Sequence, residues 1–332
     1  MTSQERVPLL SVDGLSVQFS SRRGVVRAVD GLTYDVHAGE TLAIVGESGS
    51  GKSISAQTVM GTLPPSATVT HGTVRFDGVD LLALPEGQRR TYRGARIGMV
   101  FQDSLAALNP VLTVGDQIAE LYRVHQGASR GAARDAAIEM LGHVGIPSPR
   151  ERYRQYPHQF SGGQRQRVMI AIALALRPQL VIADEPTTSL DVTVQDQILQ
   201  LLADLKAETG MALILISHDL GIVAQVADRV VVMYAGSVAE QAPVLDLFDQ
   251  PLHPYSRGLL ESIPRMEGEP GLLVPIAGSP PNLAAVAPGC AFADRCRYTQ
   301  ARCRDTRPDL VTSGPSRQSR CLRWEELRDG TI

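Results

Sequence analysis

Short apolar runs recur along the chain from about residue 8 to residue 245, separated by polar and amphipathic segments. They are TLAIVG (41–46), RIGMVF (96–101), LVIAD (180–184), ALILIS (212–217) and RVVVMY (229–234). Each is strand-sized and apolar on both faces, as expected of strands buried inside a sheet. Between the third and fourth runs, Val194, Ile198, Leu201, Leu202 and Leu205 recur at helical spacing, and Asp191 is placed to cap that helix. Fully apolar strands joined by amphipathic helices predict an α/β fold with a mostly parallel sheet covered on both faces. From about Leu105 to Leu176 the strand pattern gives way to helical spacing, which reads as a helical insertion over about 103–176. After Gln250 Pro, Gly and Arg become frequent and regular periodicity fades, so a boundary is expected near residue 250, separating 1–250 from 251–332.

Composition narrows the class. The 332 residues are 43% hydrophobic and 20% charged with a net charge of −3, ordinary for a globular protein and without the basic excess of a nucleic-acid binder. The N-terminus MTSQERVPLLSVDG has no apolar core behind basic residues, and no apolar window reaches membrane-spanning length. A cytoplasmic chain able to dock on a membrane protein is the expectation.

Four strand ends carry chemistry. After the first apolar run comes GESGSGKS, formed by Gly46, Glu47, Ser48, Gly49, Ser50, Gly51, Lys52 and Ser53. Between a strand and a helix this is a phosphate-binding P-loop: glycines let backbone N–H groups wrap an anion, Lys52 reaches the β- and γ-phosphates, and Ser53 holds Mg2+. LVIADEP (180–186) brings Asp184 to the metal and Glu185 to the attacking water as general base. His218, after ALILIS, arrives at the same kind of strand end, where it contacts the γ-phosphate. Gln102, after RIGMVF, touches Mg2+ or the lytic water and leads into the helical insertion.

A second anion-type helix start follows at FSGGQRQR (160–167), where Ser161, Gly162, Gly163 and Gln164 precede a long apolar run. With the P-loop and the acidic strand end, this set resembles the ATP-binding subunits of ABC transporters. FSGGQ stands at the family's signature sequence, beginning with Phe160 where Leu is commoner, and SLD (189–191), ending in Asp191, stands at its D-loop. The resemblance implies a RecA-like P-loop NTPase core with an antiparallel β subdomain and helical insertion. It also implies that two ATPase domains meet head to tail, so the signature of one chain caps the γ-phosphate held by the other. Phe19 is the best candidate for the aromatic that stacks on adenine.

The likeness is narrower still. VFQDSLAALNPVLTVGDQIAE (100–120), YPHQFSGGQRQRVMIAIAL (156–174), SHDLGIVAQVADRVVVMYAGSVAE (217–240) and HPYSRGLLESIP (253–264) are similar to the dipeptide and oligopeptide importer ATPases over nearly the whole chain. That implies an ATPase on the cytoplasmic face of the membrane, peripherally bound to two permease subunits. A second ATPase subunit, related or identical, and an external substrate-binding protein complete the assembly. Coupling runs through the Gln102 loop and residues 103–160. Relatives of this kind also import nickel complexes or glutathione, and those cargoes are the alternative. A soluble ABC-type ATPase acting on nucleic acid would need basic stretches that this chain lacks.

All four cysteines fall in the tail, at Cys290, Cys296, Cys303 and Cys321. Disulfides, zinc, an iron–sulfur cluster and plain thiols compete here; the spacing has no tight C-x2-C pair for zinc, and a cluster accepts wider gaps. The family resemblance covers this tail and implies a [4Fe–4S] cluster in a small irregular C-terminal domain. Arg295, Arg297, Arg302 and Arg304 surround the thiols in sequence, either to offset their charge or as a solvated basic face.

Overall fold

A computed structural model describes residues 7–21, 24–188, 190–263, 275–281, 283 and 288–332. The chain forms two compact units: unit 1 draws on Met1–Val36, Thr41–Leu82 and Ser217–Ile332, and unit 2 on His37–Glu40 and Ala83–Ile216.

Unit 1 opens with β1 (Leu10–Ser21), β2 (Gly24–Val36), β3 (Thr41–Val45), α1 (Lys52–Met60), β4 (Ala67–Phe76) and β5 (Val79–Asp80). Strands β2, β1, β4 and β5 make an antiparallel sheet in that order. Its inner face carries Leu10, Val12, Leu15 and Val17 of β1, all essentially inaccessible. This is the antiparallel subdomain that the family likeness implies. All five residues of β3 are buried, as its unbroken apolar run predicts.

Unit 2 runs through α2 (Glu86–Tyr92), β6 (Ile97–Val100), α3 (Ser104–Ala107), α4 (Val114–Gln126), α5 (Arg130–His143), α6 (Pro149–Arg152), α7 (Gly162–Leu174), β7 (Leu180–Asp184), α8 (Val192–Thr209) and β8 (Ala212–Ser217). Strands β6, β7 and β8 are parallel, with Ile97 opposite Leu180 and Leu180 opposite Ala212. From α3 to α7 the described residues contain no strand. Side-chain caps start the longer helices there: Thr113 accepts from Asp116 N and Ser129 from Ala132 N. Buried positions recur at three- and four-residue spacing, Val114, Ile118 and Tyr122 on α4 and Ala133, Ala137 and Leu141 on α5. Helix α7 is polar in its first turns and apolar from Val168 on, with Val168, Met169, Ile170, Ala171, Ala173 and Leu174 buried, so its second half is interior.

The chain then returns to unit 1 with α9 (Leu220–Val226), β9 (Arg229–Tyr234), β10 (Ser237–Pro243), α10 (Val244–Asp249), α11 (Pro254–Glu261), α12 (Ala301–Asp305), β11 (Val311–Gly314), β12 (Arg317–Ser319) and α13 (Trp324–Arg328). Strand β3 pairs parallel with β9, and β10 lies antiparallel between β9 and β12. The hairpin of β11 and β12 thus adds tail strands to the ladder of β10, and compactness does not set the residues after 250 apart. Tyr255 and Phe292 of the tail complete one apolar cluster with Val45, Val230, Val232 and Tyr234, and Cys290 and Cys296 pack against it. Glu240 is the polar bolt of that junction. It is 1% exposed and accepts from Leu252 N at 2.8 Å and His253 N at 2.9 Å, with Arg317 at 3.6 Å. Burial pushes its carboxyl up to about 7. The neighbouring His253 ring, also buried, is pushed down to about 3.

Candidate nucleotide site

Strand β3 delivers the P-loop of unit 1. Two of its glycines are required by space: a Cβ on Gly46 would lie 2.2 Å from Met233 O, and one on Gly51 2.4 Å from Ala28 O, with Gly51 at φ +99°. Gly51 is also the N-cap of α1, so no side chain covers the first amides of that helix. Lys52 is 5% exposed and its Nζ donates to Gly46 O at 2.7 Å and Glu47 O at 3.0 Å, folding the charge into the loop. The Ser50 hydroxyl is buried without a hydrogen-bond partner among the described residues. Ser48 and Gly49 form the exposed tip, and Ser53 is half-buried in the first turn of α1. Uncapped amides, a buried lysine and an unused buried hydroxyl are the donor set that a phosphate chain requires.

The remaining unit 1 candidates lie apart in the sequence. His218 is exposed directly after β8, and the next residue, Asp219, caps α9 by accepting from Gly221 N at 2.7 Å. Phe19 is half-buried in β1, between register partners Val26 and Ala67.

Unit 2 holds the acidic pair. Asp184 ends β7 at 5% exposure, and Glu185 turns out of the strand with φ +47°, an unusual conformation for a non-glycine residue. Its N–H donates to Ile216 O at 3.0 Å. Its Oε2 accepts from Gln102 Nε2 at 3.1 Å and from Thr188 Oγ1 at 2.9 Å. The strained turn aims the carboxylate while two side chains hold it. Gln102 and Glu185 are therefore brought together, and Thr188 is a holder that no sequence pattern had singled out.

The signature residues open α7. Ser161 Oγ accepts from Gln164 N at 3.3 Å and Gln164 Oε1 accepts from Ser161 N at 3.2 Å, a reciprocal capping box. Gly163 is glycine for a packing reason: a Cβ there would lie 2.6 Å from Val194 Cγ1 on α8, whereas one on Gly162 would meet Leu190 Cδ2 at 3.5 Å, an ordinary contact. Asp191 caps α8 through Val194 N at 3.0 Å, as its position predicts. Ser189 of the D-loop lies outside the described residues.

Cys290, Cys296, Cys303 and Cys321 line one cavity of about 20 Å³ together with His253, Phe292 and Arg323. Among the described residues no group of three or more His, Cys, Asp or Glu has metal-holding geometry, and all four cysteines are free. Burial raises the thiols of Cys290, Cys296 and Cys321, the last up to about 12. The neighbouring arginines are engaged elsewhere: Arg295 pairs with Glu47, Arg297 with Glu261, Arg302 with Glu326 and Arg304 with Asp294. Arg297 also offsets charge at the Cys296 thiol, and Arg297, Arg302 and Arg304 remain half exposed. A larger cavity of about 420 Å³ lies nearby, between Tyr234, Phe292, Arg307 and Arg320, and no P-loop residue lines it.

A P-loop at the end of a buried strand, an acidic pair ending another and a signature helix define the ATP-binding cassette of an ABC transporter. The family model for the ABC transporter matches residues 29–188, and that for the oligopeptide/dipeptide transporter C-terminal region matches residues 239–303. Among solved structures, the dimeric cassette MJ0796, a bacterial ABC transporter cassette, is 28% identical with a TM-score of 0.64, covering 71% of this chain and 98% of that one. The dipeptide transport ATP-binding protein DppD of Bacillus subtilis is 51% identical, covering 98% of this chain and 97% of its own. OppD of Salmonella typhimurium, an oligopeptide transport ATP-binding protein, is 47% identical over 96% of this chain and 95% of its own. The chain belongs to this family of ATP-hydrolysing transporter subunits. Among the described residues no helix is long and apolar enough to cross a membrane.

Proposed function

We propose that the chain is the ATPase subunit that energises import of dipeptides or oligopeptides through an ABC transporter at the cytoplasmic face of the membrane. The observation that carries the reading is a P-loop built for phosphate inside a chain similar to DppD and OppD from end to end. Lys52 and the amides of residues 46–53 bind the phosphates of ATP. Ser53, Asp184 and Gln102 are the residues that would hold Mg2+, which would neutralise phosphate charge when bound. Glu185, oriented by Gln102 and Thr188, takes a proton from the attacking water; His218 contacts the γ-phosphate and Phe19 stacks on the base.

The capped start of α7 serves a phosphate held by another ATPase subunit, identical or related, because its own chain already supplies a complete phosphate loop. ATP closes the two subunits and hydrolysis reopens them. Two permeases and an external substrate-binding protein complete the assembly. Phe101, Leu105, Val111 and Leu112, large apolar side chains exposed immediately around and after Gln102, support a permease-facing role for the helical segment. The tail is a module whose four thiols hold a [4Fe–4S] cluster. Four cysteines on one cavity support that reading; the absence of single-ion geometry requires them to reposition and lose protons on binding.

The test is ATP turnover by the assembled transporter in liposomes, with the binding protein loaded by a dipeptide and oligopeptide panel. Stimulation of turnover by loaded binding protein is expected. Stimulation by a nickel complex or glutathione alone would replace the peptide reading.

A further inference from the structure

Glu47, the second residue of the P-loop, is gripped from three directions by residues more than 180 positions away in the sequence or by the loop's own lysine. Its N–H donates to Tyr255 Oη at 2.8 Å. Its carbonyl accepts from Lys52 Nζ at 3.0 Å. Its carboxylate takes a fork of two bonds from Arg295, at 2.7 and 2.9 Å. The Arg295 side chain is only 6% exposed and that of Glu47 26%, so the guanidinium is shielded and the carboxylate partly open.

The arginine is itself fixed on every side. Its Nε donates to Ala277 O at 2.9 Å, Nη1 also reaches Tyr234 Oη at 3.3 Å, and Nη2 also reaches Ile276 O at 3.5 Å. All five guanidinium donors thus have an acceptor. Its plane lies 5.8 Å from the Tyr234 ring centre and 5.9 Å from that of Phe292. Tyr234, Tyr255 and Phe292 pack as one aromatic wall, with ring centres 4.6 to 5.4 Å apart. Phe292 is two residues beyond Cys290, so the wall belongs to the cysteine tail as much as to β9.

We infer that the C-terminal tail is a working part of the nucleotide pocket: Arg295 and Tyr255 are positioning residues that set the P-loop for ATP by holding Glu47. The inference rests on reading residues 46–53 as the nucleotide site. The peptide they hold is the one on which Lys52 leans, so release of either grip lets the lysine and the adjoining amides drift from a phosphate-ready arrangement. A tail present only to pack the unit would contribute stability and leave ATP affinity alone.

The experiment is titration of the full-length chain with a fluorescent ATP analogue and Mg2+, alongside thermal unfolding of each variant. Arg295→Ala is expected to weaken nucleotide binding about tenfold, the scale of losing one buried charge-assisted contact. Arg295→Lys, which can keep one bond but not the fork, should fall between. Tyr255→Phe deletes one oxygen while keeping the ring, and should weaken binding severalfold. Glu47→Ala combined with Arg295→Ala should be no weaker than the worse single change. In the assembled transporter the loss should appear as a raised KM for ATP with kcat little changed. Wild-type affinity in Arg295→Ala, or a fall in kcat at constant KM, overturns the inference. Should Arg295→Ala fail to fold, Tyr255→Phe decides in the same way. Lys52→Ala separates the two levels: if it binds nucleotide as wild type does, the site reading itself fails, whereas loss there with normal Arg295→Ala and Tyr255→Phe refutes the tail's role alone.

Discussion

Two glycine-bearing helix starts in this chain, those of α1 and α7, are built on opposite plans. At α1 the glycines are there for the backbone: Gly51 sits at φ +99°, and Cβ atoms on Gly46 or Gly51 would strike main-chain oxygens. The helix has no side-chain cap, and a buried lysine and an unpaired buried hydroxyl stand beside its amides. At α7 the helix closes on itself through the box between Ser161 and Gln164, and Gly163 is small because Val194 is close. The first leaves its amides open beside buried donors; the second is an end already closed by its own side chains. The difference teaches that a glycine-rich helix start is not one device. An uncapped one leaves its amides to a ligand, whereas a capped one has satisfied its own.

The sharpest break comes from Glu185, the proposed general base. Glu185→Gln should reduce ATP turnover by about a hundredfold or more while leaving nucleotide binding intact, since a general base contributes on that scale. Turnover measured by phosphate release checks it, and near-normal rates would remove Glu185 from the chemistry. Gly163→Ala should destabilise the chain by roughly 1–2 kcal/mol as the new methyl displaces Val194. Adding Val194→Ala should restore the melting temperature. Turnover that stays reduced in the double variant would give Gly163 a second role at a partner's phosphate; full recovery would make it a packing glycine and nothing more.

The smallest effect concerns the tail's attachment. Glu240 has an ordinary value of 4.5 and is raised to about 7 in the fold, so its contribution to stability is fully present below about 4.5 and is lost as pH rises through about 7. His253 runs the other way: its ring is depressed from 6.5 to about 3, so its contribution is present above about 6.5 and lost as pH falls. Glu240→Gln removes only the first of these. Relative to wild type, its stability should therefore climb between about pH 4.5 and pH 7, by on the order of 2 kcal/mol. Parallel melting curves of the two proteins across that range would show no such climb if Glu240 titrated normally.

Much of this was legible in the residue order. Unbroken apolar runs specify β3, β7, β8 and β9, because a strand buried on both faces has nowhere to put a polar side chain. Asp191 at a helix start and Ser161 three residues before Gln164 are local signals, and both caps form. The P-loop is local too, eight consecutive residues whose pattern alone marks a phosphate loop. What stayed hidden is long-range. Nothing around Glu47 announces that Arg295 and Tyr255 hold it, since those contacts join residues 248 and 208 positions apart. The arginines beside the cysteines read as a basic cluster until their carboxylates, dispersed from Glu47 to Glu326, are seen opposite them. Thr188 is an ordinary residue after an acidic motif, and only the left-handed turn at Glu185 brings its hydroxyl onto the carboxylate.

The central claim, that a capped signature helix completes a neighbour's nucleotide site, is tested most directly by sedimentation of Glu185→Gln chain with its ATPase partner, or with a second copy, in the presence and absence of MgATP. Two-cassette particles are predicted only with MgATP, and only while Ser161 and Gly163 are intact. Separate single cassettes at saturating MgATP, or pairing indifferent to Ser161→Ala and Gly163→Ala, would contradict it.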